Sequence, residues 1–233
     1  MATAAGTVAA VEAEDAAALA RIGALVEQMD RRIADATPSP GRSGTRERIL
    51  EVAMELFAQR GFEACTVRDL ADAVGIKPPG LYSHFRSKEA ILSEAMLRAL
   101  RGFLARISAD GQAGDAEARL GETIGRHVAH QLEHAQLARA HDLLLNSRAT
   151  ERFLPEEERR LLHDARRAYY ELVRGRIAAV SGIESETALT TTTFAVTTLC
   201  DGVLNWYRPD GALTVGDVAE HYWHLVRGML RIG

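Results

Sequence analysis

The sequence predicts an all-α protein with a small N-terminal helical domain and a larger C-terminal one. Apolar residues recur at intervals of three and four along most of the 233 residues, and no segment sustains the period of two that a strand requires. Prolines lie at junctions between these periodic segments, as at Pro155 and Pro209. In the C-terminal part, helices are predicted over approximately 117–134, 136–148, 155–180, 185–207 and 214–231.

The composition is that of a globular protein and gives no global sign of a nucleic-acid partner. Hydrophobic residues make up 47%, charged residues 26%, and the formal net charge is −4. Any DNA binding must therefore depend on local placement of basic side chains. Cys65 and Cys200 lie far apart in sequence, which fits a reducing compartment. Without a signal peptide or an apolar run near the ~20 residues that span a bilayer, we expect a cytoplasmic protein with no membrane partner.

Residues 1–41 are predicted to form an N-terminal extension that leads into a linker rich in proline, glycine and serine at 37–44. Three interpretations of its apolar stripe stay open. The favoured one is an extra amphipathic helix packed on the protein's own body; the others are a helix that stabilises a dimer or binds a partner, and a frayed tail. The stripe consists of Leu19, Ile22, Val26, Met29 and Ile33.

Short helices and tight turns between residues 45 and 92 predict a helix-turn-helix. Thr66 and Asp69 have the spacing of a capping box, and Gly75 suits a turn that needs positive φ. A second short helix follows Lys77, in which proline at the first turn is harmless. Helices this short are stable only when they pack steeply around a small core, as in a helix-turn-helix.

The segment from Thr66 to Leu92 resembles the DNA-binding signature of the TetR family of transcription regulators. With the preceding helix, the resemblance covers residues 45–92. It implies a DNA-binding domain over 42–92 and a ligand-binding and dimerisation domain over 93–233. The residues that carry the resemblance, by their spacing, are Gly75, Leu81, Tyr82, His84, Phe85 and Lys88.

The resemblance also implies which side chains meet DNA. Residues at the start of the second short helix would face bases, and the surrounding hydroxyl, imidazole and basic groups would contact phosphates. Leu81 and Phe85 are interpreted as core because they lie four residues apart. Pro78 stands where many relatives carry a second basic residue, which leaves the base preference open. The implied DNA contacts are Arg42, Arg46, Thr66, Lys77, Pro79, Gly80, Tyr82, His84 and Lys88.

The resemblance further implies a repressor that binds a pseudo-palindromic double-stranded operator as a homodimer and is released by a small ligand. Activation in place of repression stays open. Thr214 and Asp217 are predicted to cap the last helix. The last two long helices would form the dimer interface, through Ala195, Leu199, Val203, Trp206, Tyr222, Val226 and Met229.

Two segments, 205–214 and 127–168, resemble a subgroup that responds to acyl-CoA thioesters, so a small hydrophobic ligand of this class is expected and no cofactor is. Arginines at the mouth of an apolar cleft would hold the CoA phosphates. A drug-like hydrophobic effector is the alternative, as is a metal ion on a histidine stripe spaced i, i+3, i+7. The candidates are Arg139, Arg148, Arg166 and Arg167, and the stripe His127, His130 and His134.

Enzymatic function is not expected, because the sequence contains no nucleophile elbow, P-loop, dinucleotide fingerprint or HExxH motif. Cys65 adjoins a helix start, which can lower a thiol pKa, but in this motif a buried structural role is favoured. A helical adaptor without DNA binding is the remaining alternative. Tyr82, His84 and Lys88, all intact, argue against it.

Overall fold

The computed structural model describes residues 4–36, 43–109, 114–145 and 148–232, and in these residues it contains helices and turns but no strand. The predicted all-α class is therefore confirmed. A 3₁₀ turn, Gly202–Asn205, lies between the last two helices. The helices are α1 (Ala4–Ala36), α2 (Ser43–Arg60), α3 (Val67–Val74), α4 (Pro78–Tyr82), α5 (Lys88–Ile107), α6 (Ala116–Glu133), α7 (Ala135–Leu145), α8 (Arg148–Phe153), α9 (Glu156–Ser181), α10 (Glu186–Asp201) and α11 (Val215–Leu230).

Two predicted helices differ from the observed ones. The helix predicted over 136–148 ends at Leu145, and a separate short helix, α8, follows. The helix predicted over 185–207 ends at Asp201, where Gly202 begins the tighter 3₁₀ turn. Glycine favours such a change because it weakens an α-helix and tolerates the altered backbone.

The chain forms two compact units, each assembled from separate stretches of sequence. Unit 1 comprises Met1–Ala24, Phe103–Glu133 and Ala165–Gly233, and unit 2 comprises Leu25–Gly102 and His134–Asp164. In unit 1, α6 packs against α11, which buries every fourth residue from Val218 to Leu230. A spacing of four keeps these side chains on one helix face. The predicted domain boundary after residue 92 stays a prediction.

Unit 2 contains the helix-turn-helix. In it, α2 buries Ile49, Ala53 and Phe57 and packs against α3 and α7. The rings of Phe62 and Phe153 extend this core. The Phe62 ring centroid lies 4.9 Å from that of Phe57 and 4.7 Å from that of Phe153. The three-residue and four-residue spacings of the buried positions explain why the segment folds as a helix with one inward face.

The extension helix α1 packs on the chain's own helices, in agreement with the favoured interpretation. Ile22 and Met29 of its apolar stripe are fully buried. Within unit 1, Arg21 donates to Glu171 at 2.8 Å, and within unit 2, Arg101 donates to both carboxylate oxygens of Asp30 at 2.9 and 3.1 Å. No helix among the described residues has the length and apolar character needed to cross a membrane.

Candidate DNA-binding and ligand-binding sites

The helix-turn-helix begins at a complete capping box. Thr66 Oγ1 accepts a hydrogen bond from the Asp69 backbone N at 3.1 Å, and the Thr66 backbone N donates to Asp69 Oδ2 at 2.8 Å. The hydrogen bonds from the Thr66 hydroxyl and backbone hold the pKa of Asp69 below its ordinary value. The first turn of α3 therefore already holds the negatively charged Asp69 carboxylate. A DNA phosphate that binds at this helix end would have to approach that charge.

Gly75 provides the turn between α3 and α4. Its φ is +79°, and the backbone N of Ile76 donates to Ala71 O at 2.9 Å, which closes α3. A side chain would strain this left-handed conformation, so glycine is required here. The turn sets the direction in which α4 leaves α3.

Recognition helix α4 is only five residues long and is held by two anchors. Leu81 is fully buried and Phe85 is 3% exposed, as predicted for core positions. In contrast, Lys77, Pro79 and Ser83 are exposed, and Tyr82 exposes 54% of its surface. We call these four residues the recognition surface. The predicted contact Gly80 is half-buried, and a Cβ there would meet nothing closer than Ile76 at 3.9 Å.

Arg46 is buried, although the sequence analysis predicted that it contacts DNA. It is 4% exposed, and its guanidinium binds both carboxylate oxygens of Glu94, the carbonyl of His84 and the carbonyl of Ala36. It also lies 3.9 Å over the Phe85 ring. The prediction that Arg46 contacts DNA is therefore wrong for this conformation, because its donors are used to fix the backbone that follows α4. Arg42 lies outside the described residues.

Lys88 also bonds to groups of its own chain. Its Nζ donates to Phe62 O and Cys65 O, both at 2.7 Å, and lies 4.2 Å from the Phe62 ring centroid. Two of the three ammonium protons thus tie the start of α5 to the loop before α3. Lys88 therefore has a packing role that the sequence did not indicate, and its predicted phosphate contact stays a prediction. The side chain of His84 is half-buried, and Thr66 is exposed.

A buried polar cluster lies in unit 1. His127 is 2% exposed, and its ring nitrogens bond to Tyr169 Oη at 2.7 Å and Asp201 Oδ1 at 2.9 Å. Gln131 donates to the same Asp201 oxygen at 2.8 Å. Burial alone would raise the pKa of Asp201, but the hydrogen bonds from His127 and Gln131 and the nearby His127 charge hold it below its ordinary value. Burial raises the pKa of Tyr169 well above its ordinary value.

The predicted histidine stripe is not assembled on one helix. Because α6 ends at Glu133, His134 lies in the turn that follows, whereas His130 is half-buried with its ring 5.4 Å from that of Phe103. Among the described residues, no group of three or more His, Cys, Asp or Glu side chains is arranged to hold a metal ion. The metal alternative thus has no support from these residues.

The structure instead gathers arginines that the sequence did not indicate. A cleft of about 530 Å³ in unit 1 lies between α1, α6 and α9 and is lined by Arg21, Arg119, Arg174 and Arg176. The predicted ligand arginines do not line it: Arg139, Arg166 and Arg167 are exposed, and the side chain of Arg148 is outside the described part. Contributions from three distant helices leave no local pattern from which the cleft could have been predicted.

The predicted dimer residues divide into two groups. Val203, Tyr222 and Val226 are buried in their own chain, so they are intramolecular core. Trp206 and Met229 are 47% and 48% exposed, Ala195 is exposed and Leu199 is half-buried. Leu225 of α11 is also exposed, and sequence reasoning missed exposed Phe194 of α10. We define the α10–α11 apolar surface as Phe194, Ala195, Trp206, Leu225 and Met229.

Comparisons with known proteins decide the family. The model of "Bacterial regulatory proteins, tetR family" matches residues 49–95, and that of the "Tetracyclin repressor-like, C-terminal domain" matches 113–230. The transcriptional repressor KstR2 of Rhodococcus jostii is 35% identical over 210 residues, which cover 82% of this chain and 95% of that protein. The chain belongs to the TetR family.

Solved structures show the same fold, among them a TetR-family transcriptional regulator. PfmR from Thermus thermophilus is 30% identical with a TM-score of 0.62, over 77% of this chain and 96% of that one. AibR, solved with isovaleryl coenzyme A and operator DNA, has a TM-score of 0.60 at 21% identity, over 78% and 97% of the two chains. Helix α1 precedes both matched family ranges.

Membership of the TetR family also confirms that the chain is a transcription regulator and not an enzyme. Cys65, the nucleophile considered from the sequence, is 1% exposed and its Sγ donates to Leu56 O at 3.3 Å. Burial raises the pKa of this thiol, so the position beside a helix start does not activate it. Cys65 is thus part of the core around the helix-turn-helix.

Proposed function

We propose that this chain is a ligand-responsive transcriptional repressor that binds a pseudo-palindromic double-stranded operator as a homodimer in the cytoplasm. The observation that carries the proposal is the recognition surface, which stays exposed while Leu81 and Phe85 anchor α4 from below. Its relative from R. jostii is named a transcriptional repressor. Repression is therefore preferred to activation.

The recognition surface provides one cation, and Gly80 beside it is a position of close approach. Lys77 is exposed at the N-terminus of α4, and Gly80 leaves room for a base edge beside it. Tyr82 offers a hydroxyl to a phosphate. Exposed Arg68 and Arg86 are further cations near this surface in sequence, and Arg68 Nε lies 3.9 Å from Asp72 Oδ2.

Two arguments support a dimer: the limits of a single half-site and the α10–α11 apolar surface. One short helix in one major groove gives little affinity, whereas two heads about one DNA turn apart, roughly 34–36 Å, multiply it. Phe194, Trp206, Leu225 and Met229 each expose about half of their surface, from 47% to 57%. Large apolar side chains exposed on the helices that the family resemblance assigns to the dimer interface suit burial against a second copy of the chain.

We propose an acyl-CoA thioester as the ligand and the polar cluster of unit 1 as the place where its carbonyl binds. The Tyr169 hydroxyl and the His127 ring are hydrogen-bonded to each other beside Asp201 and Gln131, and the Phe103 ring packs edge-on against both at 4.9 and 5.0 Å. Arg166 is exposed and its charge acts on Asp201, so it is the predicted arginine best placed for a phosphate. AibR, which has a similar fold, was solved with such a thioester.

Release of DNA requires only that the thioester bind one state of the dimer better, with a coupling of about 1–3 kcal/mol. A gel shift on the DNA flanking the chain's own gene tests the first half of the proposal. We expect a sequence-specific shift that weakens steeply with salt. No specific shift at any salt would refute the regulator and leave the adaptor alternative.

The proposed ligand is tested by titrating the shifted protein–DNA complex with octanoyl-CoA. CoA alone is the control, and a hydrophobic drug represents the alternative ligand class. Tyr169→Phe should weaken the octanoyl-CoA response by about tenfold, the value of one buried hydrogen bond to a polar group. Tyr170→Phe, half-buried and adjacent, should leave the response unchanged. Release by the drug and not by octanoyl-CoA would overturn the ligand class.

A further inference from the structure

The cleft between α1, α6 and α9 contains a buried arginine whose carboxylate partner comes from outside the family models. Arg176 of α9 is 3% exposed and donates to Asp15 of α1, from Nε to Oδ1 at 2.7 Å and from Nη2 to Oδ2 at 3.1 Å. Arg119 Nε lies 3.8 Å from the same Oδ2. The Asp15 carboxylate thus lies beside the guanidinium groups of Arg176 and Arg119.

This arrangement is bidentate recognition of a carboxylate. Two parallel N–H···O bonds from a planar guanidinium fit the carboxylate group and no neutral group of that size. A buried guanidinium also requires such a partner, because an unpaired buried charge is costly. The Asp15 side chain is 13% exposed, at the cleft side, so a carboxylate from solution has access to the same place.

The rest of the cleft suits a ligand with an apolar body. Its volume of about 530 Å³ lies in the range of ~300–1,000 Å³ that small-molecule sites occupy. Two of the four lining arginines have carboxylate partners of their own, because Arg21 bonds to Glu171 and Arg174 bonds to Glu186, so Arg176 and Arg119 are the ones that a ligand carboxylate would meet. Between the charged groups, the walls consist of small or aliphatic residues, namely Val11, Ala17, Ala18, Ala116, Leu172, Gly175, Ala178 and Ala179.

We propose that this cleft binds amphipathic carboxylates of the fatty-acid type, whose carboxylate replaces Asp15 on Arg176 and Arg119. Asp15 then acts as a built-in competitor that occupies the site when no ligand is present. The site is separate from the polar cluster that the proposed function assigns to a thioester, and it needs no DNA. It gives the extension helix a role that the family models do not cover.

Calorimetric titration of the whole protein with decanoate tests the proposal. Asp15→Asn removes the competing charge, so decanoate should bind this variant about tenfold more tightly than the wild type. Glu12→Gln makes the same change in net charge at an exposed position that does not line the cleft, and should leave the affinity unchanged. Decanamide, the neutral analogue, should bind neither protein.

A second pair of variants locates the site. A Cβ at Gly175 meets no atom within 4 Å, so Gly175→Trp should fold and fill the cleft, and decanoate binding should be lost. Gly125 of α6 is equally open but does not line the cleft, so Gly125→Trp should bind normally. Thermal melting of each variant checks that it is folded.

Two results would overturn the proposal: no decanoate binding by either the wild type or Asp15→Asn, or equal binding by Gly175→Trp and Gly125→Trp. If Asp15→Asn does not fold, the tryptophan pair still decides. All these titrations use free protein, so they succeed or fail independently of the gel shifts that test operator binding.

Discussion

Two arginines, one in each unit, are almost completely buried, and they differ in where their carboxylate partners come from. Arg46 pairs with Glu94, which is 3% exposed and lies in the part of the chain that the first family model matches. Arg176 pairs with Asp15, which is 13% exposed and lies in the extension. The first pair closes a frame around the recognition helix, whereas the second borders a cleft. A fully enclosed pair can only be structural, but a pair at a cleft can exchange its carboxylate.

The largest expected effect is a loss of stability when the enclosed Arg46–Glu94 pair is broken. Glu94→Ala leaves the Arg46 guanidinium buried without its carboxylate, and this should lower the free energy of unfolding by about 3–5 kcal/mol. Urea denaturation measures the change. Glu51→Ala, an exposed position on α2, is the control and should cost less than about 0.5 kcal/mol.

The double variant Arg46→Met/Glu94→Leu sharpens this prediction. It removes both buried charges together and leaves only Arg98, the second partner of Glu94, whose side chain is 32% exposed, so it should destabilise the protein less than Glu94→Ala alone. A double variant that is as unstable as the single one would mean that the hydrogen bonds to His84 O and Ala36 O, and not the ion pair, hold the frame.

Asp15→Ala should have the second largest effect on stability. Water reaches the edge of this pair and partly solvates Arg176 after the substitution, so the expected loss is about 1–3 kcal/mol in the same urea experiment. Glu12→Ala, exposed on the same helix, serves as the control. If Asp15→Ala cost as much as Glu94→Ala, the distinction between an enclosed and an accessible pair would be wrong.

The two lysines of the helix-turn-helix should separate binding from stability. Lys77→Ala should weaken operator binding by about 1–3 kcal/mol in a quantitative gel shift, without a change in melting temperature, because Lys77 is exposed. Arg160→Ala, an exposed cation on α9, is the control for charge. An equal loss of binding in Arg160→Ala would show that only net charge matters.

Lys88→Met should show the reverse pattern. Loss of the bonds to Phe62 O and Cys65 O should cost about 1–2 kcal/mol of unfolding free energy, with binding affected only as far as the fold is. A variant of normal stability with strongly weakened binding would restore the phosphate contact that the sequence indicated.

The features that could be predicted from the sequence are those made by neighbours in the chain. The capping boxes of Thr66 with Asp69 and of Thr214 with Asp217 were predicted and are present, because each closes over three residues. The turn at Gly75 was predicted for the same reason. The family resemblance added the role of the segment, which the local pattern alone does not specify.

The features that could not be predicted are those that depend on distant contacts. Arg46 and Glu94 lie 48 positions apart, so nothing near Arg46 indicated that it would be buried. The partner of Arg176 lies 161 positions away, in an extension whose packing the sequence could only suggest. For His134 the cause was local: α6 ends one residue before it, which a histidine spacing does not reveal.

The smallest expected effect concerns an exposed carboxylate, the opposite extreme to the two buried pairs. Hydrogen bonds from the Thr214 hydroxyl and backbone N, the latter at 2.8 Å, hold the pKa of Asp217 below its ordinary value. A carboxyl whose pKa is lower in the folded state binds fewer protons when folded. Its stabilising contribution is therefore complete above its unfolded pKa and is lost as the pH falls through the folded pKa.

Asp217→Asn should accordingly lower the melting temperature at neutral pH by a small amount, and the difference from wild type should shrink as the pH falls below about 4. Melting curves at a series of pH values measure this. Asp210→Asn, in the loop before the cap, makes the same charge change outside the capping box and should give no comparable pH-dependent difference. If the difference in melting temperature persisted unchanged at low pH, the protonated acid and the amide would not be equivalent at this helix end. Asp217 would then contribute through packing and not through its charge.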